Sequence, residues 1–136
     1  MRTYLTDVVR DGRLDLIAEL AHEDVVDEAN QVFGGPAGRD GLVAHVVGFR
    51  KYVTELSVEI QEIVGGDDAV MAWWAFKGRH CGPWLGREPT GKIISGDVFS
   101  FFQLREGKAQ RYRLWLYAAF PEPVVFDTSK PEDGPP

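Results

Sequence analysis

Cysteine is almost missing from this chain. Cys81 stands alone among 136 residues, so no internal disulfide can form and no metal site can be built from several thiolates. Long apolar runs are missing too. No run of roughly 18 apolar residues occurs, which excludes a conventional membrane-spanning helix. The opening MRTYLTDVVRDGRLDL carries aspartates where a signal peptide needs an apolar stretch. Positive charge is scarce: 15 Lys and Arg stand against 21 Asp and Glu, a formal charge of −6 with a pI near 5.0. Basic residues gather only in the R-Y-R of Arg111 to Arg113. That balance argues against nucleic acid or an anionic membrane as partner, while the lone cysteine and the lack of a signal-like or long apolar stretch lead to the expectation of a soluble cytoplasmic protein. Motifs for borrowed chemistry are absent as well, with no P-loop, GxGxxG, HExxH or GxSxG in the sequence. His22, His45 and His80 are too widely spread to specify a metal site. The expectation is chemistry without cofactor or metal, using carboxylate, imidazole, phenol or shape.

What the chain does have is aromatic surface. Eight Phe, four Trp and four Tyr belong to a 44 % apolar composition, enough for one core at this length. Residues 1–120 are expected to form one domain. Residues 121–136, proline-rich and acidic, form a tail expected to be partly disordered, with Val124, Val125 and Phe126 able to dock. Leu5, Val8 and Val9, then Leu14, Ile17, Ala18, Leu20 and Ala21, recur at helical spacing, and Gly12 divides them into two short helices. Val25 and Val26 make a short extended piece. Residues 34–38 form a loop, Asp40 can cap the helix that follows, and Leu42, Val43, Val46, Val47 and Phe49 give that helix its buried face. Beyond it the period drops to two. Residues 56–64, 69–77, 93–104 and 109–118 read as strands, with turns at residues 65–68 and at Glu106 and Gly107. Helices first and strands afterwards specify an α+β fold, in which a curved antiparallel sheet wraps the N-terminal helices and leaves an internal pocket. The expected occupant is a small hydrophobic molecule.

The second predicted strand assigns its own faces. Val70, Ala72, Trp74, Phe76, Gly78 and His80 alternate with Met71, Trp73, Ala75, Lys77 and Arg79, and the more apolar set turns inward. Trp74 and Phe76 then bind substrate. His80 either stands at the pocket rim as a proton carrier or ends a strand against a loop. The faces of the third and fourth strands are open. If Arg105 pairs with Lys108, then Val98, Ser100 and Phe102 share a face with Arg113, Trp115 and Tyr117, while a bulge at Gly96 moves Asp97 to the other face. Asp97, beside Ile94, Val98 and Phe99, is either the general acid/base or an exposed edge carboxylate. Tyr117 and Arg113 are candidates to polarise a carbonyl, Trp115 to wall the pocket, and Asn30 to donate an amide hydrogen bond or merely to make a turn. Trp84 sits in a loop stiffened by Pro83 and Pro89, which reads as a lid over the pocket mouth. Trp73, exposed beside Met71 and Ala75 on the outer face, points to a homodimer through the sheet.

Three stretches carry a family resemblance. GGPAGRDGL resembles the glycine-rich turn and helix start of SnoaL-like proteins. FKGRHCGPWLGREPTGK is similar to their strand–loop element, G-T-H-x-G-x-[FL]-x-G-x-x-P-T-G-[KR]. FFQLREGKAQRYRLWLY is similar to their final hairpin. The resemblance runs from Tyr4 to Tyr117. It implies the cone-shaped α+β barrel shared with nuclear transport factor 2 and ketosteroid isomerase. The chemistry implied is cofactor-free: polyketide ring formation, with His80 matching the histidine of the middle motif. Where many relatives read E-x-W-x-x-x-D in the last strand, this chain has Arg111, Arg113 and Tyr117, so the acid of that strand is missing. The expectation is a cyclase that folds a polyketide-type intermediate with limited acid/base help. The alternatives are a non-catalytic small-molecule binder, or an isomerase, dehydratase, epoxide hydrolase or hydroxylase-type relative on the same fold.

Overall fold

The computed structural model describes residues 1–119 and 123–127. The chain opens with a π-wound helix at Tyr4–Arg10, whose Tyr4, Leu5, Val8 and Val9 are buried. Gly12, at φ +78°, reverses the chain as its spacing suggested. A tight turn at Leu14–Leu16 leads into α1 (Ile17–Leu20). Strand β1 (Ala21–Asp27) follows, then α2 (Glu28–Val32) and the long α3 (Gly38–Tyr52). Four long strands come next: β2 (Val53–Gly65), β3 (Ala69–His80), β4 (Ile93–Arg105) and β5 (Lys108–Ala119). The short β6 (Pro123–Asp127) ends the described chain. Of the tail expected at residues 121–136, this strand pairs with β5 and buries Phe126 while Val125 stays exposed, and residues 121–122 and 128–136 lie outside the described residues.

The architecture is α+β. The sheet is ordered β1-β5-β4-β3-β2, with β6 paired to the far end of β5. It is curved but unclosed, rather than a full barrel. It is also not wholly antiparallel, because β1 joins β5 in parallel. Asp40 does not cap α3. Ala37 holds that position without a side-chain bond, and Asp40 lies in the first turn, where a carboxylate favours the helix dipole.

Two details of register decide what faces inward. Glu106 and Gly107 make the expected two-residue turn, and Arg105 pairs with Lys108. Immediately beyond, Leu104 pairs with Ala109 but Gln103 pairs with Arg111, so Gln110 is an extra residue. This bulge slips the rest of β5 by one and turns every later side chain to the opposite face. Tyr112, Leu114 and Leu116 therefore point inward with Val98, Ser100 and Phe102, while Arg113, Trp115 and Tyr117 point outward. Gly96 carries no bulge. A Cβ there would stand 2.5 Å from the Phe76 ring, so glycine is what lets that ring lie against β4. The inner face of β3 is as expected, with Ala72, Trp74, Phe76 and His80 all buried. The stripe of α3 packs against it through Phe49, edge-on to Phe76 at 5.2 Å, and the first helix packs on β4, with Tyr4 edge-on to Phe102 at 5.6 Å. Burying a side chain such as Phe102 is worth roughly 1.5–3 kcal/mol.

Candidate active site

A cavity remains between the concave face of β3, β4 and β5 and the helices. Tyr4, His45, Phe49, Trp74, Trp84 and Tyr112 are among its walls. Its free volume is about 60 Å³, so the aromatics nearly fill it. Phe33 and Trp84 stand at the mouth and separate the cavity from an outer recess of about 300 Å³ beside Tyr52, Pro83 and Arg87.

The polar groups in this apolar wall are few. Asp27 ends β1 on the same inward face as Val25. Its side chain is 1 % exposed. One carboxylate oxygen accepts from the Asn30 backbone N–H at 3.1 Å, capping α2, and the other accepts from His45 Nδ1 at 2.6 Å. His45 lies on the buried stripe of α3 between Leu42 and Phe49 and reaches the cavity. Burial alone pulls its imidazolium toward deprotonation. The Asp27 charge and hydrogen bond outweigh that pull, so its pKa is raised above the usual histidine value. Because Nδ1 donates to a carboxylate, Nε2 is the nitrogen that carries or lacks the exchangeable proton. Deeper in the wall, Trp74 Nε1 donates to Ser100 Oγ at 2.9 Å, and Ser100 Oγ lies 2.9 Å from the Tyr112 hydroxyl. Burial pushes the phenols of Tyr4 and Tyr112 up, well above the ordinary tyrosine value, so both remain protonated.

The lid is a tight turn. Trp84 and Arg87 exchange two backbone hydrogen bonds of 2.9 Å around Leu85 and Gly86, both at positive φ. Leu85 pays steric strain at φ 51° and aims its buried side chain into the cavity. Trp84 packs on Phe49 at 5.4 Å and stacks on Tyr52 at 6.3 Å.

The profile of the SnoaL-like polyketide cyclases matches residues 1–117. The chain belongs to that family. It is 28 % identical over 106 residues to the nogalonic acid methyl ester cyclase of Streptomyces nogalater, covering 76 % of this chain and 78 % of that protein. It is 25 % identical over 112 residues to the aklanonic acid methyl ester cyclase AcmA of Streptomyces galilaeus, covering 82 % and 78 %. Among solved structures, TsrD from Streptomyces laurentii matches with a TM-score of 0.73 at 19 % identity, over 85 % of this chain and 84 % of that one. IdmH from Streptomyces antibioticus matches at 0.65 and 20 %, over 85 % and 86 %. At such identities the structural likeness speaks for the fold.

Within this SnoaL-like fold the residues singled out from sequence part company. Trp74, Phe76 and Trp84 wall the cavity as expected. Asp97 does not. It lies on the outer face opposite Tyr117 and accepts from Trp73 Nε1 at 3.1 Å. Arg113, Trp115 and Tyr117 share that outer face because of the Gln110 bulge, so none of them reaches the cavity. Arg113 instead joins Arg111 on the Glu28 carboxylate, with N–O distances of 3.0 and 3.1 Å, and lies over the Phe101 ring. His80 turns inward but is sealed under the lid, outside the cavity wall, with Nδ1 near the Thr90 backbone N–H and hydroxyl at 3.4 and 3.3 Å. Asn30 lies within α2 rather than in a turn. Its amide donates to the Pro36 carbonyl at 2.7 Å, and it borders only a side recess.

His45, Asp27, Tyr4 and Tyr112 were missed. Signals for the first two were present. His45 falls on the Leu42, Val46, Phe49 stripe at helical spacing, and Asp27 falls on the Val25 face at strand spacing. A titratable residue on each of two apolar faces that meet is the pattern to look for.

Proposed function

We propose that this chain is a ring-forming cyclase acting on a hydrophobic polyketide-type intermediate of antibiotic biosynthesis, with His45 moving the proton, Asp27 orienting the imidazole, and no cofactor taking part. The observation that carries this reading is the 2.6 Å pairing of His45 Nδ1 with Asp27 at the wall of an aromatic cavity. Relatives named as cyclases of aklanonic and nogalonic acid methyl esters support the substrate class.

In an intramolecular aldol closure, neutral His45 takes the proton from a carbon next to a carbonyl through Nε2. The enolate carbon attacks a second carbonyl of the same molecule and forms the ring C–C bond. The resulting alkoxide takes a proton back from the imidazolium. Nothing is oxidised and no group leaves, so the balance needs no co-reactant. Asp27 holds the ring orientation and stabilises the imidazolium as it forms. Aromatic walls that hold the two ends of the chain together remove several kcal/mol of barrier. Ligand sites for molecules of this size run to roughly 300–1,000 Å³, so the mouth must open, with Phe33 and Trp84 swinging toward the outer recess.

The reading includes a homodimer through the outer face of the sheet. Trp73 and Phe99, each more than two-fifths exposed, stack there at 5.8 Å and 10°, and Tyr117 adds to the patch. Aromatic surface of this kind marks an interaction face.

Incubation with aklanonic acid methyl ester and with nogalonic acid methyl ester, followed by chromatography and mass spectrometry, tests the reading. A product of unchanged mass and altered retention is expected, and it should be lost in His45→Gln. Tight binding of both esters with no conversion would mark a binding protein instead.

A further inference from the structure

The chain of polar groups behind the cavity has a fixed direction. An indole nitrogen only donates, so Ser100 Oγ accepts from Trp74. The serine proton then needs an acceptor. Ser100 has no exposed surface, and the Tyr112 oxygen, at 2.9 Å, is its remaining hydrogen-bond partner among the described residues. Were Tyr112 the donor, Ser100 would hold two accepted bonds and a buried proton with no acceptor, an arrangement protein interiors avoid. Ser100 therefore donates to Tyr112, and the Tyr112 O–H is left to point elsewhere. Tyr112 lines the cavity, its ring 6.1 Å from His45 and 6.0 Å from Tyr4.

We propose that Tyr112 donates its hydroxyl hydrogen bond to the substrate oxygen on which negative charge develops, and that Trp74 and Ser100 hold it in that polarity. This rests on the cyclase reading of the cavity. It divides the work between two groups: His45 moves a proton, and Tyr112 keeps its own. Burial supports the second role, because a phenol pushed up in pKa stays a donor when an enolate forms beside it. A donor already fixed and dry needs no reorganisation during the reaction. Trp74 and Ser100 are positioning residues, acting only through Tyr112.

Substituted 1-naphthols of graded acidity and similar shape, with naphthalene as the oxygen-free control, provide the test. Binding is followed by quenching of tryptophan fluorescence. For the native protein, affinity should rise with naphthol acidity. In Tyr112→Phe that rise should flatten, while naphthalene binds within twofold of native. In Ser100→Ala the rise should weaken, a change that loss of packing alone would not produce. Turnover of a cyclisable ester should fall on the order of a hundredfold to a thousandfold in Tyr112→Phe, with the pH dependence set by His45 unmoved. An acidity dependence equal to native in Tyr112→Phe overturns the proposal. Should that variant not fold, an unaltered dependence in Ser100→Ala does the same. Naphthols that bind the native protein with no acidity dependence overturn the role of Tyr112 and leave the cyclase reading standing. Failure of the native protein to bind naphthol or naphthalene overturns both.

Discussion

His45 Nδ1 lies 2.6 Å from Asp27 Oδ2 although 18 residues separate them in the chain. Asp27 closes β1 and His45 sits midway along α3, so the pair exists only where that strand and helix pack. The carboxylate is held again by the Asn30 N–H at 3.1 Å. With both oxygens engaged, Asp27 fixes the imidazole and leaves Nε2 as the working atom.

If neutral His45 is the base, kcat/KM should rise with pH and level off above the folded-state pKa of His45, which stands above the ordinary value of about 6.5. Asp27→Asn removes the charge that raises this pKa and leaves the burial that lowers it. The limb should then move to lower pH while the rate falls. His45→Gln should cost roughly 10²–10⁴ in turnover. A pH profile identical in native and Asp27→Asn proteins would remove the pair from the mechanism.

The same pair affects stability with a definite sign. The pKa of His45 is raised in the folded state, so the native protein holds this proton more tightly than the unfolded chain does. The stabilisation is fully present below about pH 6.5, the unfolded value, and is lost as pH rises through the folded pKa. The stability difference between native and His45→Gln proteins should therefore be constant below about pH 6.5 and shrink as pH rises through the raised folded-state pKa, measured by denaturant titration. Asp27→Ala also uncaps α2 and should cost about 2–4 kcal/mol, combining a cap with a charged hydrogen bond.

Asp97→Asn provides the contrast. Asp97 faces outward and touches Trp73, not the cavity. Turnover in this variant should stay within about twofold of native, since the acid/base loss of a hundredfold or more applies only to a group in reach of the substrate. A hundredfold loss would return the proton transfer to Asp97.

Trp84 contacts Phe49, Tyr52 and Phe76 while closing the mouth. Trp84→Ala should weaken binding of a polycyclic ligand by roughly 1–3 kcal/mol, the loss of one large apolar contact. Calorimetric titration of an anthraquinone into both proteins checks it, and equal affinities would place the ligand elsewhere.

Sedimentation at micromolar concentration should show a dimer, and Trp73→Lys should shift it to monomer by placing a charge in the apolar patch. A native monomer at that concentration would refute the interface.

The sequence by itself determined most of the elements, the short α2 excepted. Period-two alternation located the four long strands, glycine and paired acidic residues located their turns, and the even positions of β3 were assigned correctly inward. Those features are local, because strand period and turn chemistry depend on neighbours a few residues away. The quoted motifs carried the family for the same reason. Only the tertiary structure decided the site. The single extra residue at Gln110 turned Tyr112 inward and Arg113, Trp115 and Tyr117 outward, and a bulge of one residue leaves almost no mark on composition or period. The packing of α3 across the end of β1 joined His45 to Asp27. No spacing rule connects a helix residue to a strand residue, because their distance is set by the angle at which two apolar faces bury each other.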